Sequence, residues 1–271
     1  MNSCFDKIRG GNCTLYIHRD FRNAAFEQVL LAGGKKLGQH YQLTTIPASK
    51  FARVYKFSVR FGGTDREVYF KQYLCRSVWD FIKDLVRANR AERTFKATEM
   101  LTENGFDAPV IIAMAKSGCR LCRTTNLMVT LEIENAKQIY QLISDGKLET
   151  ADKRELIRTF GRTVGRMHAM GIFHGDLRLG NILARHEKDR WSFFILDNER
   201  TKKFYRLPDW LRRKNLVQVN MLPPATISNT DRMRFFTEYW AQNEIAETKK
   251  TALIKKVLEK TRLRLDKKET L

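Results

Sequence analysis

The sequence lacks any long apolar run, and no stretch approaches the about 18 residues that cross a bilayer as a helix. We therefore expect no membrane-spanning helix. The first thirteen residues also lack the apolar core of a secretory signal, so the reducing cytosol is the expected compartment. Apolar residues nevertheless make up 43% of the 271 positions, which is ample for a buried core and excludes wholesale disorder.

Cysteine is scarce and odd in number, with five residues, which argues against a disulfide framework. Cys119 and Cys122 form a single C-x-x-C pair. Zinc would need two more ligands at suitable spacing, and none lies nearby. We therefore interpret the pair as ordinary thiols in a hairpin.

Negative charge is in short supply, since 50 Lys and Arg residues outnumber 30 Asp and Glu residues and give a net charge of +20. A chain this basic is attracted to an anionic partner, such as nucleic acid, an acidic membrane face or a phosphorylated substrate. Charge alone does not choose among these partners. A solvated basic surface without a specific partner is the plain alternative.

The most informative stretch is His174–Asn181, which reads H-G-D-L-R-L-G-N and has the H-x-D-x-x-x-x-N spacing of a kinase catalytic loop. Phosphoryl transfer needs an Asp that accepts the proton of the attacking hydroxyl, and an Asn five residues later that faces magnesium. Asp176 and Asn181 fill these places. Asp197 follows an apolar run and is predicted to be the second magnesium ligand, at a strand end.

One arginine and two histidines lie in or near this loop. Arg178 lies two residues after Asp176, where its planar donor fork can reach the transferring phosphate. We therefore predict Asp176 as the catalytic base and Arg178 as a second catalytic residue. His174 is predicted to be a structural hydrogen-bonding residue of the loop, and His168 a core residue.

Lys71 ends the stretch Val68–Lys71, a predicted strand after a glycine-rich turn, in the manner of the V-A-I-K lysine that contacts nucleotide phosphates. A solvent-facing lysine on a strand is the alternative. A phosphate-binding lysine needs a carboxylate to hold it, and Glu92 and Glu99 share one face of the following predicted helix. We predict Glu92 as the partner, with Glu99 and a solvated helix face left open.

The pattern of apolar residues predicts an α+β architecture with two lobes. The N-terminal lobe, 1–132, is expected to bind nucleotide and to be β-rich, with a hairpin around Gly62-Gly63 and one long helix over 77–104. The C-terminal lobe, 133–271, is expected to be mainly helical and to carry catalysis. Its basic segment 249–268 is interpreted either as an amphipathic helix for an anionic membrane or as a helix packed on the lobe with a solvated back.

Two features of an ordinary protein kinase are missing. No G-x-G-x-x-G precedes Lys71, and the segment 49–53 stands in its place. The metal motif reads Asp197-Asn198-Glu199 where a protein kinase has D-F-G. Glu199 is left as either a further magnesium carboxylate or a partner of Arg200. Both departures argue against an ordinary protein kinase.

These motifs together resemble the lipopolysaccharide kinase family of Gram-negative bacteria, the Kdo and heptose kinases of the inner core. The likeness runs from about Arg53 to Tyr239. It is carried by Val68–Lys71, Gly105–Pro109, Leu127–Thr130, His174–Leu177 with Asn181, Ile195–Asp197, Arg213–Asn220 and Thr230–Phe236.

The resemblance implies a protein-kinase-like bilobal fold, ATP with Mg²⁺, and transfer of the γ-phosphate to a sugar hydroxyl of the lipopolysaccharide core, on Kdo or heptose. It implies a peripheral location at the cytoplasmic face of the inner membrane, with a lipid-linked anionic glycan and an anionic membrane surface as partners. Nucleic acid is not expected as a partner, and the oligomeric state is left open. Two alternative functions are left open. The first is a RIO-like, small-molecule or protein kinase of the same fold, and the second is a non-enzymatic basic scaffold that binds RNA or an acidic protein.

Overall fold

The computed structural model describes residues 4–74, 88–117 and 125–269. The chain divides into two compact units. The N-terminal unit comprises Met1–Glu99 and Pro109–Glu134, and the C-terminal unit comprises Met100–Ala108 and Asn135–Leu271. The predicted roles of the two parts in nucleotide binding and catalysis stay predictions. Cys119 and Cys122 lie outside the described residues.

The N-terminal unit is built on a seven-stranded antiparallel sheet in the order β1-β2-β6-β7-β5-β4-β3. The strands are β1 (Phe5–Gly10), β2 (Cys13–His18), β3 (Thr44–Ile46), β4 (Ala52–Phe61), β5 (Thr64–Tyr73), β6 (Ile111–Ser117) and β7 (Thr125–Leu131). A 3-10 turn at Arg19–Phe21 and helices α1 (Ala24–Leu31) and α2 (Leu37–His40) join β2 to β3.

The β4–β5 hairpin is the predicted one. Alternate residues of β4 are buried, including Phe57 and Val59, and Phe57 pairs across the ladder with Val68. Gly62 and Gly63 form the turn with φ values of 54° and 86°. Two consecutive residues with positive φ make a turn whose twist matches the strands, and glycine adopts that conformation without steric cost. The hairpin prediction is therefore confirmed.

The structure describes the C-terminal part of the predicted long helix from Arg90 onward. Helix α3 spans Arg90–Glu103, and residues 77–87 of the predicted 77–104 helix lie outside the described residues. The Oδ1 atom of Asn89 accepts the Glu92 N–H at 2.9 Å, and Glu92 Oε2 accepts the Asn89 N–H at 2.9 Å. This reciprocal pair is a capping box, which marks a helix start. The predicted continuity of the helix through Asn89 is therefore wrong, because Asn89 is the N-cap of α3 and is not helical.

The C-terminal unit is mainly helical. Its helices are α4 (Ile139–Ser144), α5 (Thr150–Ala169), α6 (Asp209–Val219), α7 (Asn229–Ala241) and α8 (Glu247–Glu269). Its short strands β8 (Lys137–Gln138), β10 (Ile182–Glu187) and β11 (Arg190–Ile195) form one sheet, and β9 (Ile172–Phe173) pairs with β12 (Lys202–Lys203). Short 3-10 turns lie at Leu179–Asn181 and Asn198–Arg200.

Helix α5 supplies the centre of this unit's core. Its predicted apolar stripe is buried, with Leu156, Phe160, Val164 and Met167 each no more than 5% exposed. The helix packs closely on α7 because Gly161 and Gly165 present no side chain there. A Cβ atom on Gly161 would stand 2.5 Å from the Phe235 carbonyl oxygen, and one on Gly165 would stand 2.8 Å from that of Tyr239. Such distances leave no room for a larger residue.

Helix α8 packs on the C-terminal unit. Val257 is fully buried, and the Thr261 hydroxyl accepts a hydrogen bond from Asn220 Nδ2 at 3.1 Å. Of the two interpretations of this basic segment, the packed helix is the one that the structure shows. Its outer side is solvated and carries exposed Leu258 and Leu263 among lysines and arginines. No helix within the described ranges is both long and apolar enough to cross a bilayer.

Candidate active site

The loop that follows β9 is fixed from inside by His174, which is fully buried. Its Nε2 atom donates to the Leu196 carbonyl oxygen at 3.0 Å, and its Nδ1 atom accepts the Asp176 N–H at 3.2 Å. Burial lowers the pKa of His174, so the ring is neutral. The ring thus ties the loop to the end of β11, and the predicted structural role is confirmed.

Asp176 presents a half-buried carboxylate that is held on two sides. Arg178 donates to it through both Nε, at 2.8 Å, and Nη2, at 2.6 Å. Gln218 Nε2 donates to Asp176 Oδ1 at 3.3 Å. The Arg178 side chain is 66% exposed, so its ion pair with Asp176 contributes little to stability. Arg178 can therefore leave Asp176 for another anion at little cost.

Asn181 and Asp197 lie at the same end of the β10–β11 hairpin. Ile182 pairs with Ile195, and the Leu196 N–H donates to the Asn181 carbonyl oxygen at 2.9 Å. Asn181 Nδ2 donates to the Asp176 carbonyl oxygen at 2.9 Å. The structure therefore brings Asp176, Asn181 and the strand end before Asp197 together.

The backbone of Asp197 is left-handed, with φ 55° and ψ 49°. That conformation is uncommon for a residue with a side chain, although Asp and Asn adopt it more readily than most. Residues held in sparsely populated conformations concentrate at functional sites.

Asn181 and Asp197, at this end of the hairpin, carry the oxygen atoms that a magnesium ion prefers as ligands. The Asn181 amide nitrogen is used in the loop, which leaves its oxygen for a cation. Asp197 adds a carboxylate, and Mg²⁺ takes oxygen ligands from one or two side chains together with substrate phosphates. Glu199 is nearly buried, and its role as a further magnesium carboxylate or as a partner of Arg200 is left open.

Lys71 and Glu92 lie in the N-terminal unit. Lys71 is in the middle of the sheet, since β5 pairs it with Val54 of β4 and with Met128 of β7. Its Nζ atom lies 5.2 Å from the centroid of the Tyr73 ring. The phosphate-binding role of Lys71 stays a prediction.

Glu92 has other partners than the predicted one. Its Oε2 atom accepts the Asn89 N–H of the capping box, and its Oε1 atom lies 3.6 Å from Lys116 Nζ. Each carboxylate oxygen of Glu92 thus has a described neighbour. The pairing of Lys71 with Glu92 stays a prediction, and Glu99 is still open as the alternative.

Helix α6 carries two residues, absent from the predicted site, that contact the loop of Asp176. Asn215 is fully buried, donates to the His174 carbonyl oxygen at 2.6 Å and accepts the His174 N–H at 3.2 Å. Gln218, one turn later, contacts Asp176. The available signal is a pair of amides three residues apart, which share one face of a helix, within the stretch Arg213–Asn220.

Comparison with known proteins identifies relatives across most of the chain. The model of the lipopolysaccharide kinase (Kdo/WaaP) family matches residues 52–239. A 3-deoxy-D-manno-octulosonic acid kinase of Haemophilus influenzae (strain 86-028NP) is 27% identical over 181 residues, which cover 63% of this chain and 71% of the relative. An enzyme of the same name from Actinobacillus succinogenes is 24% identical over 130 residues, 48% of this chain and 52% of the relative.

Further similarities are more distant. The KEOPS complex subunit Bud32 of Pyrococcus abyssi is 28% identical over 102 residues, and the chain spans only 42% of Bud32's length, or 36% of its own. A solved structure described as WaaP in complex with acyl carrier protein superposes with a TM-score of 0.59 at 20% identity, over 84% of this chain and 90% of that one. This structural likeness shows the protein-kinase-like fold. With its family model matched over residues 52–239, the chain belongs to the lipopolysaccharide kinase (Kdo/WaaP) family and is a phosphotransferase.

Proposed function

We propose that this chain transfers the γ-phosphate of ATP to a sugar hydroxyl of the lipopolysaccharide inner core, on Kdo or heptose. The observation that carries the proposal is the joining of the Asp176 loop, Asn181 and the end of β11 in one hydrogen-bonded hairpin end. Relatives described as 3-deoxy-D-manno-octulosonic acid kinases support the sugar acceptor. The net charge of +20 suits an acceptor that already carries anionic groups.

Each proposed site residue has one task. Asp176 accepts the proton of the attacking hydroxyl, and Arg178 turns its donor fork from Asp176 to the transferring phosphate. Lys71 contacts the nucleotide phosphates, with Glu92 or Glu99 as its carboxylate. Asn181 and Asp197 hold Mg²⁺, which neutralises charge on the phosphates when it is bound.

We place the reaction at the cytoplasmic face of the inner membrane, where a lipid-linked acceptor is held. The solvated outer side of α8 supports this location, because lysines and arginines there surround exposed Leu258 and Leu263. A surface of that composition is attracted to anionic lipid head groups.

Mass spectrometry of the core oligosaccharide tests the acceptor. Core from cells with the gene should carry one phosphate that is missing from core of cells without it. Supplying the parent gene should restore the phosphate, whereas supplying an Asp176→Asn gene should not. An identical phosphate pattern in cells with and without the gene would contradict the proposed acceptor.

A second candidate is a kinase of the same fold with a protein acceptor, and the observation that leaves room for it is the partial similarity to Bud32, whose name specifies no lipopolysaccharide acceptor. The purified chain would then label casein or itself with γ-phosphate and leave lipopolysaccharide unlabelled. A non-enzymatic scaffold would transfer nothing and would bind RNA with a steep dependence on salt concentration.

A further inference from the structure

A chain of hydrogen bonds crosses the C-terminal unit and ends on the proposed catalytic base. Its members, in order, are Arg212, Tyr239, His168, Asn215, Gln218 and Asp176. Arg212 Nη1 lies 2.6 Å from the Tyr239 hydroxyl, which lies 2.9 Å from His168 Nδ1. These residues come from helices α5, α6 and α7, so three helices contribute to one polar chain.

The second half of the chain reaches the catalytic loop. His168 Nε2 lies 3.2 Å from Asn215 Oδ1, and Asn215 Nδ2 lies 2.9 Å from Gln218 Oε1. Gln218 Nε2 then lies 3.3 Å from Asp176 Oδ1. The last link is the longest, and it joins the buried network to the half-exposed carboxylate.

Backbone partners fix the orientation of both amides. Asn215 Oδ1 accepts the His174 N–H, and Asn215 Nδ2 donates to the His174 carbonyl oxygen. Gln218 Oε1 accepts the Leu177 N–H at 3.2 Å. Since a backbone N–H only donates and a carbonyl only accepts, neither amide can be turned over. Gln218 must therefore present its Nε2 donor to Asp176.

The same logic sets the tautomer of His168. Because Asn215 Oδ1 is an acceptor, His168 Nε2 must carry the hydrogen and donate it. Burial, with help from the Arg212 cation, lowers the pKa of His168 to about 3, so the ring is neutral and its Nδ1 atom accepts from the Tyr239 hydroxyl. Every link therefore donates in one direction, from Arg212 towards Asp176.

Opposite charges lie at the two ends of this series of hydrogen bonds. Arg212 is 8% exposed, and among the residues that the structure describes no carboxylate lies within ion-pair distance of it. Asp176 is the anion at the other end. Aligned hydrogen bonds polarise one another in a low-dielectric interior, so a cation at the donor end strengthens donation to the carboxylate.

We propose that Gln218 is a positioning residue, which the chain from Arg212 holds as a fixed donor to Asp176. This inference rests on the proposed function, because Asp176 must be the base for its position to matter. When Arg178 turns to the transferring phosphate, Gln218 keeps the Asp176 carboxylate aimed at the acceptor hydroxyl. Arg178 is mostly exposed, whereas the Gln218 amide is held by Leu177 and Asn215, so Gln218 is the lasting contact.

A first test determines the direction of donation along these hydrogen bonds and needs no activity assay. Nitrogen-15 NMR of the histidine rings in the full chain should show His168 as the neutral tautomer with hydrogen on Nε2, from pH 8 down to pH 5. Its signal is identified by its loss in His168→Gln. Hydrogen on Nδ1, or protonation of His168 near pH 6.5, would overturn the inference because the donors would then no longer point to Asp176.

The second test changes one atom of the last link. Gln218→Glu keeps an acceptor oxygen for Leu177 and Asn215 and places an oxygen opposite Asp176, so that two carboxylates repel. We expect kcat to fall by about tenfold or more while KM for ATP stays within about twofold of the parent. The ratio of variant to parent rate should rise as the pH falls towards about 4.3, since the protonated carboxyl donates again.

Thr261→Val is the matched control, because it also removes a buried hydrogen-bonding side chain of the C-terminal unit but lies outside the chain to Asp176. It should leave kcat unchanged. If Gln218→Glu keeps the parental kcat while Asp176→Asn is inactive, the positioning role of Gln218 is overturned. The proposed function then stands. Parental transfer by Asp176→Asn would instead overturn the proposed function, and this inference with it.

Discussion

Asp197 combines a carboxylate with a backbone conformation that most residues avoid. Its left-handed backbone lies between the end of β11 and the 3-10 turn Asn198–Arg200. Asn198 Nδ2 secures this turn by donating to the Ile195 carbonyl oxygen at 3.0 Å. The residue before Asp197 is joined to the loop that carries Asp176 and Asn181, since the Leu196 N–H donates to the Asn181 carbonyl oxygen.

Asp197→Ala should abolish magnesium-dependent nucleotide binding as well as transfer, because it removes the only charged group among the two proposed magnesium ligands. Titration calorimetry with ATP, with and without Mg²⁺, measures this effect. Asp189→Ala is the control, since Asp189 is also left-handed and lies in the exposed turn between β10 and β11. Magnesium-dependent binding of parental strength in Asp197→Ala would show that Asp197 holds no metal.

At the scale of elements, the C-terminal unit is held by close approach of helices and by buried polar links between them. Helices α5 and α7 meet at two glycines, and His168 of α5 joins Tyr239 of α7 to Asn215 of α6. The first contact depends on the absence of a side chain. The second depends on an uncharged imidazole.

Gly161→Ala should lower the free energy of unfolding by about 1–3 kcal/mol, because the added methyl group meets the Phe235 carbonyl oxygen and pushes α5 from α7. Denaturant unfolding with the midpoint and slope both fitted measures the loss. Gly38→Ala is the matched control, since its Cβ atom would meet nothing closer than Leu43 Cδ1 at 3.7 Å. Equal stability of the two variants would contradict the close helix approach.

The free energy of unfolding should also decrease as the pH falls, because His168 is neutral in the folded chain. Its pKa is lowered to about 3 in the folded chain, so the unfolded chain binds more protons below its ordinary pKa of about 6.5. Its contribution to stability is therefore complete above about pH 6.5 and decreases as the pH falls towards 3. The slope approaches about 1.4 kcal/mol per pH unit for one histidine.

Unfolding measured between pH 7.5 and 4.5 should show a smaller slope in His168→Gln than in the parent. The lowered pKa values of Asp6 and Asp231 take effect near and below their ordinary value of 3.8 and so add little in this window. An unchanged slope in the variant would mean that His168 titrates normally in the folded chain.

The elements differ in how well the sequence predicts them. The β4–β5 hairpin and the α5 stripe were predicted correctly, because turn glycines and apolar spacing are local signals. The start of α3 differs from the prediction, because the Asn89–Glu92 cap begins the helix at Arg90. Residue types and spacing singled out Asp176, Arg178 and Asn181, but the Gln218 contact joins residues 42 positions apart and has no local pattern.

At the scale of the whole molecule, the dominant property is the charge of +20. The chain should bind vesicles that contain anionic lipid, and binding should weaken as salt rises because surface charges are screened. Changing the exposed Lys255, Lys256 and Arg262 of α8 to Glu should reduce vesicle binding about tenfold or more, at about 1 kcal/mol for each basic residue near the surface.

The control for vesicle binding carries the same charge change elsewhere. Lys7, Lys35 and Lys36 of the N-terminal unit are also exposed, and changing all three to Glu gives the same net charge. Cosedimentation with vesicles compares the two triple variants. Equal losses in both would show that total charge, and not the outer side of α8, determines membrane binding.

Phosphate transfer from ATP to a core sugar depends, in the proposed function, on Asp176 as the base. The most direct test of this dependence is the rate of γ-phosphate transfer to isolated core lipopolysaccharide by the parent and by Asp176→Asn, with ATP binding measured alongside. We predict a rate lower by about a hundredfold or more in the variant, with ATP affinity within about threefold of the parent. Transfer by Asp176→Asn at the parent rate would show that Asp176 is not the base.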